Sequence, residues 1–207
     1  MLVSTGPTTM EASIYIYTFK EGLLSKLAHD LRLSAARFAI SARGTDVQAR
    51  VELESLRIDG VNKDSRIDRA ALSDGDRRKI QHSMLRDVLR THEHPDVRFT
   101  GKSTSREPPF PLEGNLTLVG VTRPVSLLLL VRGERLVGDL ELVPSQWGIK
   151  PFRALGGTLR VQDRVRIAID ASAEWLAQGQ ELNPAVQLEW TPSTRASLVR
   201  SSLRPGS

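Results

Sequence analysis

Apolar residues recur at every second position through most of the chain. Ile14 to Phe19 is a β-branched and aromatic run, and His29 to Ile40 carries Leu31, Leu33 and Ala35 two apart. Thr45 to Leu56 continues the alternation through Val47, Val51 and Leu53. Val97 and Phe99, Leu116 and Leu118, then Val125, Leu127, Leu129 and Val131 follow. The pattern is sharpest in two places. Leu136 to Val143 sets Leu140 and Leu142 against Asp139 and Glu141. Thr158 to Ser172 sets Leu159, Val161, Val165, Ile167 and Ile169 against Arg160, Gln162, Arg164, Arg166 and Asp170. One apolar and one charged face is what a half-exposed antiparallel sheet requires. No strand–helix–strand rhythm appears, which argues against a parallel sheet.

Turn residues divide these strands: Gly120, Gly133-Glu134 and Pro108-Pro109 each sit between two alternating runs. One segment changes period. From Asp76 to Thr91 the apolar residues Ile80, Met84, Leu85, Val88 and Leu89 fall at helical spacing, with no Gly or Pro inside. Ser73, with Asp76 three residues on, predicts the N-cap, and Pro95 stops any extension. The expected fold is all-β: a lipocalin-like, closed antiparallel β-barrel of about eight strands, with one amphipathic helix between the third and fourth. Residues 1–11 read as a flexible start and 12–172 as the barrel. Residues 173–207 read as a basic extension, loose at its Thr194–Ser207 end, with the Trp175 and Trp190 region able to pack on the barrel.

At 207 residues the chain is sized for one domain with a real core. It has no cysteine, which excludes disulfides, zinc ribbons and thiol nucleophiles. A net charge of +5 raises the question of nucleic acid. The arginines are spread along strands and gathered in the tail, without interleaved aromatics, which weighs against it and leaves anionic lipid headgroups as a possible counterpart. The N-terminus has neither a basic start nor an apolar run before Glu11, so the expectation is a soluble cytoplasmic protein. No Gly-x-Ser-x-Gly is present, and Gly156-Gly157 precedes a strand rather than a helix, so neither a serine nucleophile nor a phosphate loop is indicated. No motif asks for a cofactor.

Three motifs stand in order along the chain: His94-Pro95-Asp96-Val97-Arg98-Phe99; Gly114-Asn115-Leu116-Thr117-Leu118-Val119-Gly120-Val121-Thr122-Arg123-Pro124-Val125; and Trp147-Gly148-Ile149. In sequence and order they resemble the YceI-like family over roughly residues 12–172, the second being the most specific. Members of that family are often exported, and the basic residue usual before their aromatic-Gly-Ile element has no match at Pro144 or Ser145. The resemblance implies a barrel holding a long apolar molecule, such as a polyisoprenoid, a quinone-like lipid or a fatty acyl chain, without catalysis. The inward set would be Leu31, Leu33, Val97, Phe99, Leu116, Leu118, Leu127, Leu129, Ile167 and Ile169. The alternative is that these side chains fill a solid core and the barrel is an interaction module for a protein or membrane surface.

The histidines are the only groups suited to chemistry near neutral pH. His29, beside Asp30 at the start of the second strand, is the candidate contact for a polar head group. Neighbours on a strand face opposite ways, so Asp30 is not placed to orient it. His92 and His94 flank Glu93 and could ligate a metal with His29 or His82, as a metal-dependent enzyme would require. The competing reading puts them at a helix C-terminus, facing solvent and the dipole, and is the one favoured; no metal site is assigned.

Overall fold

The computed structural model describes residues 12–21, 30–63, 66–154, 159–173 and 188–189. Thirteen strand segments form one sheet: β1 Ala12–Glu21, β2 Leu31–Ala35, β3 Arg37–Arg43, β4 Asp46–Glu52, β5 Leu56–Lys63, β6 Arg66–Asp68, β7 Asp96–Ser103, β8 Phe110–Leu118, β9 Val121–Arg132, β10 Arg135–Leu142, β11 Arg153–Ala154, β12 Leu159–Ser172 and β13 Leu188–Glu189. All pairings between them are antiparallel, as the alternation predicts.

The ladder does not form the expected closed ring of about eight strands. Its order runs β13-β3-β4-β7-β8-β9-β10-β12-β1-β2-β5-β6 and stops, with β11 added to β12. The reason is a bend. The segments 31–43 and 46–63, which take in most of the runs 29–40 and 45–56 and extend beyond them, make a single long hairpin that kinks at Ala36 and at the 3-10 turn Leu53–Ser55. The β3/β4 half pairs onward with β7, whereas the β2/β5 half pairs with β1. The same hairpin therefore supplies both flanks of the sheet. Ser55 pins the kink from a fully buried position. Its hydroxyl accepts from Arg37 N at 2.9 Å and donates to Glu52 O at 2.7 Å, while its carbonyl accepts from Ala36 N at 3.2 Å.

The helix lies between β6 and β7. It is α-helical over α1, Asp74–Ser83, and continues as a π turn over Met84–Val88, so it begins and ends earlier than the expected 76–91 span. Ser73 caps it as predicted: its Oγ accepts from Asp76 N at 3.1 Å and donates to the Asp76 carboxylate at 2.6 Å. Two side chains of α1 satisfy carbonyls on the part of the β5 edge that β6 and the other described strands leave open. Gln81 Nε2 donates to Leu56 O at 2.6 Å and Arg77 Nη1 to Ile58 O at 2.5 Å. An edge left with open carbonyls invites pairing with another chain, so this cover is protective. β13, from the C-terminal extension, pairs Leu188 with Phe38 on β3. The rest of the tail, with Trp175 and Trp190, lies outside the described residues.

Candidate functional site

The curved sheet and the helix enclose an apolar cavity of ≈ 320 Å³. That is some ten times the roughly 30 Å³ share of one water in the liquid, and it falls within the range of about 300–1,000 Å³ typical of small-molecule sites. The walls come from every long strand. Nine of the ten residues read as inward line it: Leu33, Val97, Phe99, Leu116, Leu118, Leu127, Leu129, Ile167 and Ile169. Leu31 does not. It packs in a side cluster with Leu33, Ile58, Val61 and Leu72.

Several lining residues go beyond that set. Ile14 and Ile16 of β1, and Leu136, Leu140 and Leu142 of β10, reach the cavity by the same alternation. In β1 the aromatics take the opposite face. Tyr15, Tyr17 and Phe19 lie under the guanidinium groups of Arg32, Arg166 and Arg164, at 4.6, 4.4 and 4.3 Å from the ring centres. Aromatic content alone suggests core, and a cation stacked on the ring face is what makes the outward position favourable. Met84, Val88 and Leu89 add a wall from the helical segment and the residue after it. Their helical spacing is legible, with the helix expected to lie across the barrel wall or close one end; which of its side chains meet the cavity is not.

Polar lining is sparse: Thr18, Lys150, Gln162 and Asp163, which come from one end of the strands, and Ser172 from the other. Two of these are engaged in structure: Gln162 Nε2 donates to Lys20 O at 3.1 Å, and the Asp163 carboxylate accepts from Ser145 N at 2.9 Å. No histidine is among the described lining residues, and nothing there pairs a nucleophile with a base. The site can exclude water and hold an apolar body.

The three sequence motifs meet at one end of the sheet. Trp147, in the 3-10 turn Pro144–Trp147, is buried, and its indole Nε1 donates to Leu116 O at 3.1 Å. Arg123 Nε donates to Gln146 O in the same turn. Gly120 has φ +76°, and a Cβ there would stand 2.9 Å from His94 Cε1, so the imidazole covers the hairpin turn. Phe99 lies over the paired glycines Gly101 and Gly114, where added Cβ atoms would come within 2.6 and 2.8 Å of its ring. At Gly120 and Gly114 a residue of the first motif occupies space that the second leaves open.

His92 and His94 sit in the turn before β7, with Nε2 atoms 3.2 and 3.8 Å from the Glu93 carboxylate, which also meets Arg90 at 3.4 Å. His82 lies instead on the exposed side of α1, in a cleft lined also by Glu54 and Arg57. Among the described residues no group of three or more His, Asp or Glu could hold a metal. His29 lies outside the described residues. Its neighbour Asp30 accepts from Lys20 N at 2.7 Å, across the irregular pairing of β1 between Thr18 and Lys20. No described helix is long and apolar enough to cross a membrane.

A family model, the YceI-like domain, matches residues 20–173. Burkholderia cenocepacia BcnA superposes at a TM-score of 0.50 with 14% identity, covering 77% of this chain and 94% of that one. A polyisoprenoid binding domain from Saccharophagus degradans, implicated in plant cell wall breakdown, also superposes at 0.50, with 9% identity and 78% and 94% covered. A Campylobacter jejuni YceI protein aligns at 0.36, with 13% identity and 72% and 77% covered. No curated protein matches the chain. At these identities the structural likeness is one of fold.

Proposed function

The chain belongs to the YceI-like family, and on that premise we propose that its cavity takes up a long apolar molecule without altering it, so that the protein acts as a lipid carrier, buffer or sensor. The observation that carries this reading is the cavity itself, ≈ 320 Å³ walled by aliphatic side chains from the sheet and the helix. A solid interaction module would have filled that space, because packed interiors leave few voids larger than a water molecule. The polyisoprenoid-binding domain of the same fold supports a prenyl chain as the first ligand to test; quinone-like lipids and fatty acyl chains fit the same lining.

The fold suits this use when the two halves of each bent strand are counted together. β1, β2 with β3, β5 with β4, β7, β8, β9, β10 and β12 then count as eight positions curving round the cavity. We read them as a barrel split beside β5 and roofed there by the helix. A barrel of about this strand number holds side chains or one small ligand.

Native mass spectrometry of freshly purified protein, followed by organic extraction, tests the proposal. An apolar molecule bound near one per chain supports it and identifies the class. Protein that is empty as purified, and gains no mass when offered polyprenols, quinones or fatty acids, would overturn it.

A further inference from the structure

We propose that the outer face of α1 and its π turn is a docking surface for an anionic phospholipid bilayer, carried by the element that roofs the apolar cavity. The inference deepens the carrier reading and rests on it for the purpose of docking.

The helical segment is two-faced. Inward, Met84 and Val88 line the cavity, followed by Leu89. Outward, Arg78, His82 and Arg86 recur every fourth position and share with Arg57 and Arg77 an open cleft of ≈ 400 Å³. Among the described residues neither Arg57 nor Arg77 pairs with a carboxylate. Arg57 Nη1 donates to the carbonyls of Glu54 and Leu56 at 2.7 and 2.8 Å, and Arg77 to those of Ile58 and Arg69 at 2.5 and 2.8 Å. Arg78 and Arg86 form no ion pair among the described residues. The one acid on the cleft, Glu54, accepts from Thr91 Oγ1 at 3.1 Å, and Asp87 beside it accepts from Ser83 Oγ at 2.7 Å. Four guanidinium groups against one carboxylate make this cleft strongly cationic in a chain whose net charge is only +5.

The layout distinguishes a surface from a single anion. Arg78 and Arg86 are eight residues apart, on the order of 10 Å along a helix at about 1.5 Å per residue. They form a stripe rather than converging on one point. Such a row matches an array of headgroups, each basic side chain near an anionic bilayer contributing about fivefold in partition. The element is also poised to respond. No residue of α1 or the π turn is fully buried, so it draws on the low-stability end of the fold, from which moving elements are taken. The π turn falls where Met84 and Val88 enter the cavity wall, and such turns are frequent at functional sites. Headgroups engaging the outer stripe would shift the inner wall while the sheet stays in place.

Flotation of the full chain with vesicles tests this. One set is phosphatidylcholine alone and the other an equal mixture with phosphatidylglycerol, each at low and high salt. We expect partition onto the mixed vesicles only, reversed by salt. The R78Q/R86Q pair should lose at least about tenfold, and the charge-matched pair R43Q/R132Q, on exposed strand ends away from the helix, should keep wild-type partition. Thermal melts confirm that both pairs fold. No partition onto the mixed vesicles, or an equal loss in both pairs, would overturn the proposal, as would full retention by R78Q/R86Q. Ligand content separates this from the carrier reading. An empty cavity with helix-dependent vesicle binding sinks the carrier and keeps the surface; a loaded cavity with no vesicle binding does the reverse.

Discussion

At the scale of residues, the polar positions of the first motif have a structural task that its apolar ones conceal. Asp96 opens β7 with its side chain only 9% exposed and takes three contacts: Arg50 Nε at 2.8 Å, Arg98 Nε at 3.0 Å and Arg98 Nη2 at 3.1 Å. It thereby ties β7 to β4 at the point where Val97 and Phe99 turn inward. The hydrogen bonds from Arg98, with the charges of Arg50 and Arg98, hold its carboxyl below the usual carboxylate value, against the opposing effect of burial. The folded state therefore binds the proton less readily than the unfolded chain. This stabilisation is fully present above an unfolded value of about 3.9 and is lost as the pH falls through the lower folded value. Asp96→Asn should cost about 1 kcal/mol at neutral pH, allowing for the exposure of both arginines. In urea titrations the gap to wild type should close in acid. A gap independent of pH would remove the ion pairs from the account.

At the scale of elements, the bent hairpin decides the architecture. Alternation marks 29–40 and 45–56 as strands, and strands occupy most of both; the kink falls where the apolar period changes phase, from Leu33 and Ala35 to Phe38 and from Leu53 to Leu56 and Ile58, a shift that each run taken alone does not show. The kink is held by backbone and hydroxyl bonds around Ser55, whose side chain has no solvent to fall back on. Ser55→Ala leaves Arg37 N without that acceptor and should destabilise the protein by about 1–3 kcal/mol, read as a lower urea midpoint. Amide exchange should quicken first at Arg37 and the β2/β5 pairing. Unchanged stability would mean that the carbonyl of Ser55 alone keeps the bend. The helix shows the complementary case. Its cap at Ser73 was legible as a local signature, whereas its use of Gln81 and Arg77 to close the β5 edge depends on where β5 ends up.

At the scale of the whole molecule, an apolar void is tolerated only at a cost in stability, since its walls forgo contacts that a filled core would make. A ligand that enters restores them and, binding only the folded state, raises stability by mass action. Protein stripped by organic extraction and refolded should therefore melt below the purified form and recover when a polyprenol is added. Ala49→Phe, which adds a ring on the cavity wall opposite Phe99, should raise the melting point of the stripped protein relative to its loaded form and weaken ligand binding about tenfold or more. Equal melting of stripped and purified wild type would speak for an interior that needs no occupant.

The sequence by itself determined the strands, the antiparallel class, the helix with its cap, and nine of the ten residues it assigned to the interior, because period and capping are local properties carried by neighbouring side chains. It also carried the three motifs, though not that they pack on one another, with His94 over Gly120 and Trp147 bonded to Leu116. Only the tertiary structure decided that the aromatic face of β1 turns outward beneath arginines, that Leu31 leaves the cavity wall, and that the sheet parts beside β5. Only there did Arg78 and Arg86 come to share a cleft with Arg57. These outcomes depend on contacts between residues far apart in the chain, which the local pattern of neighbouring side chains does not fix.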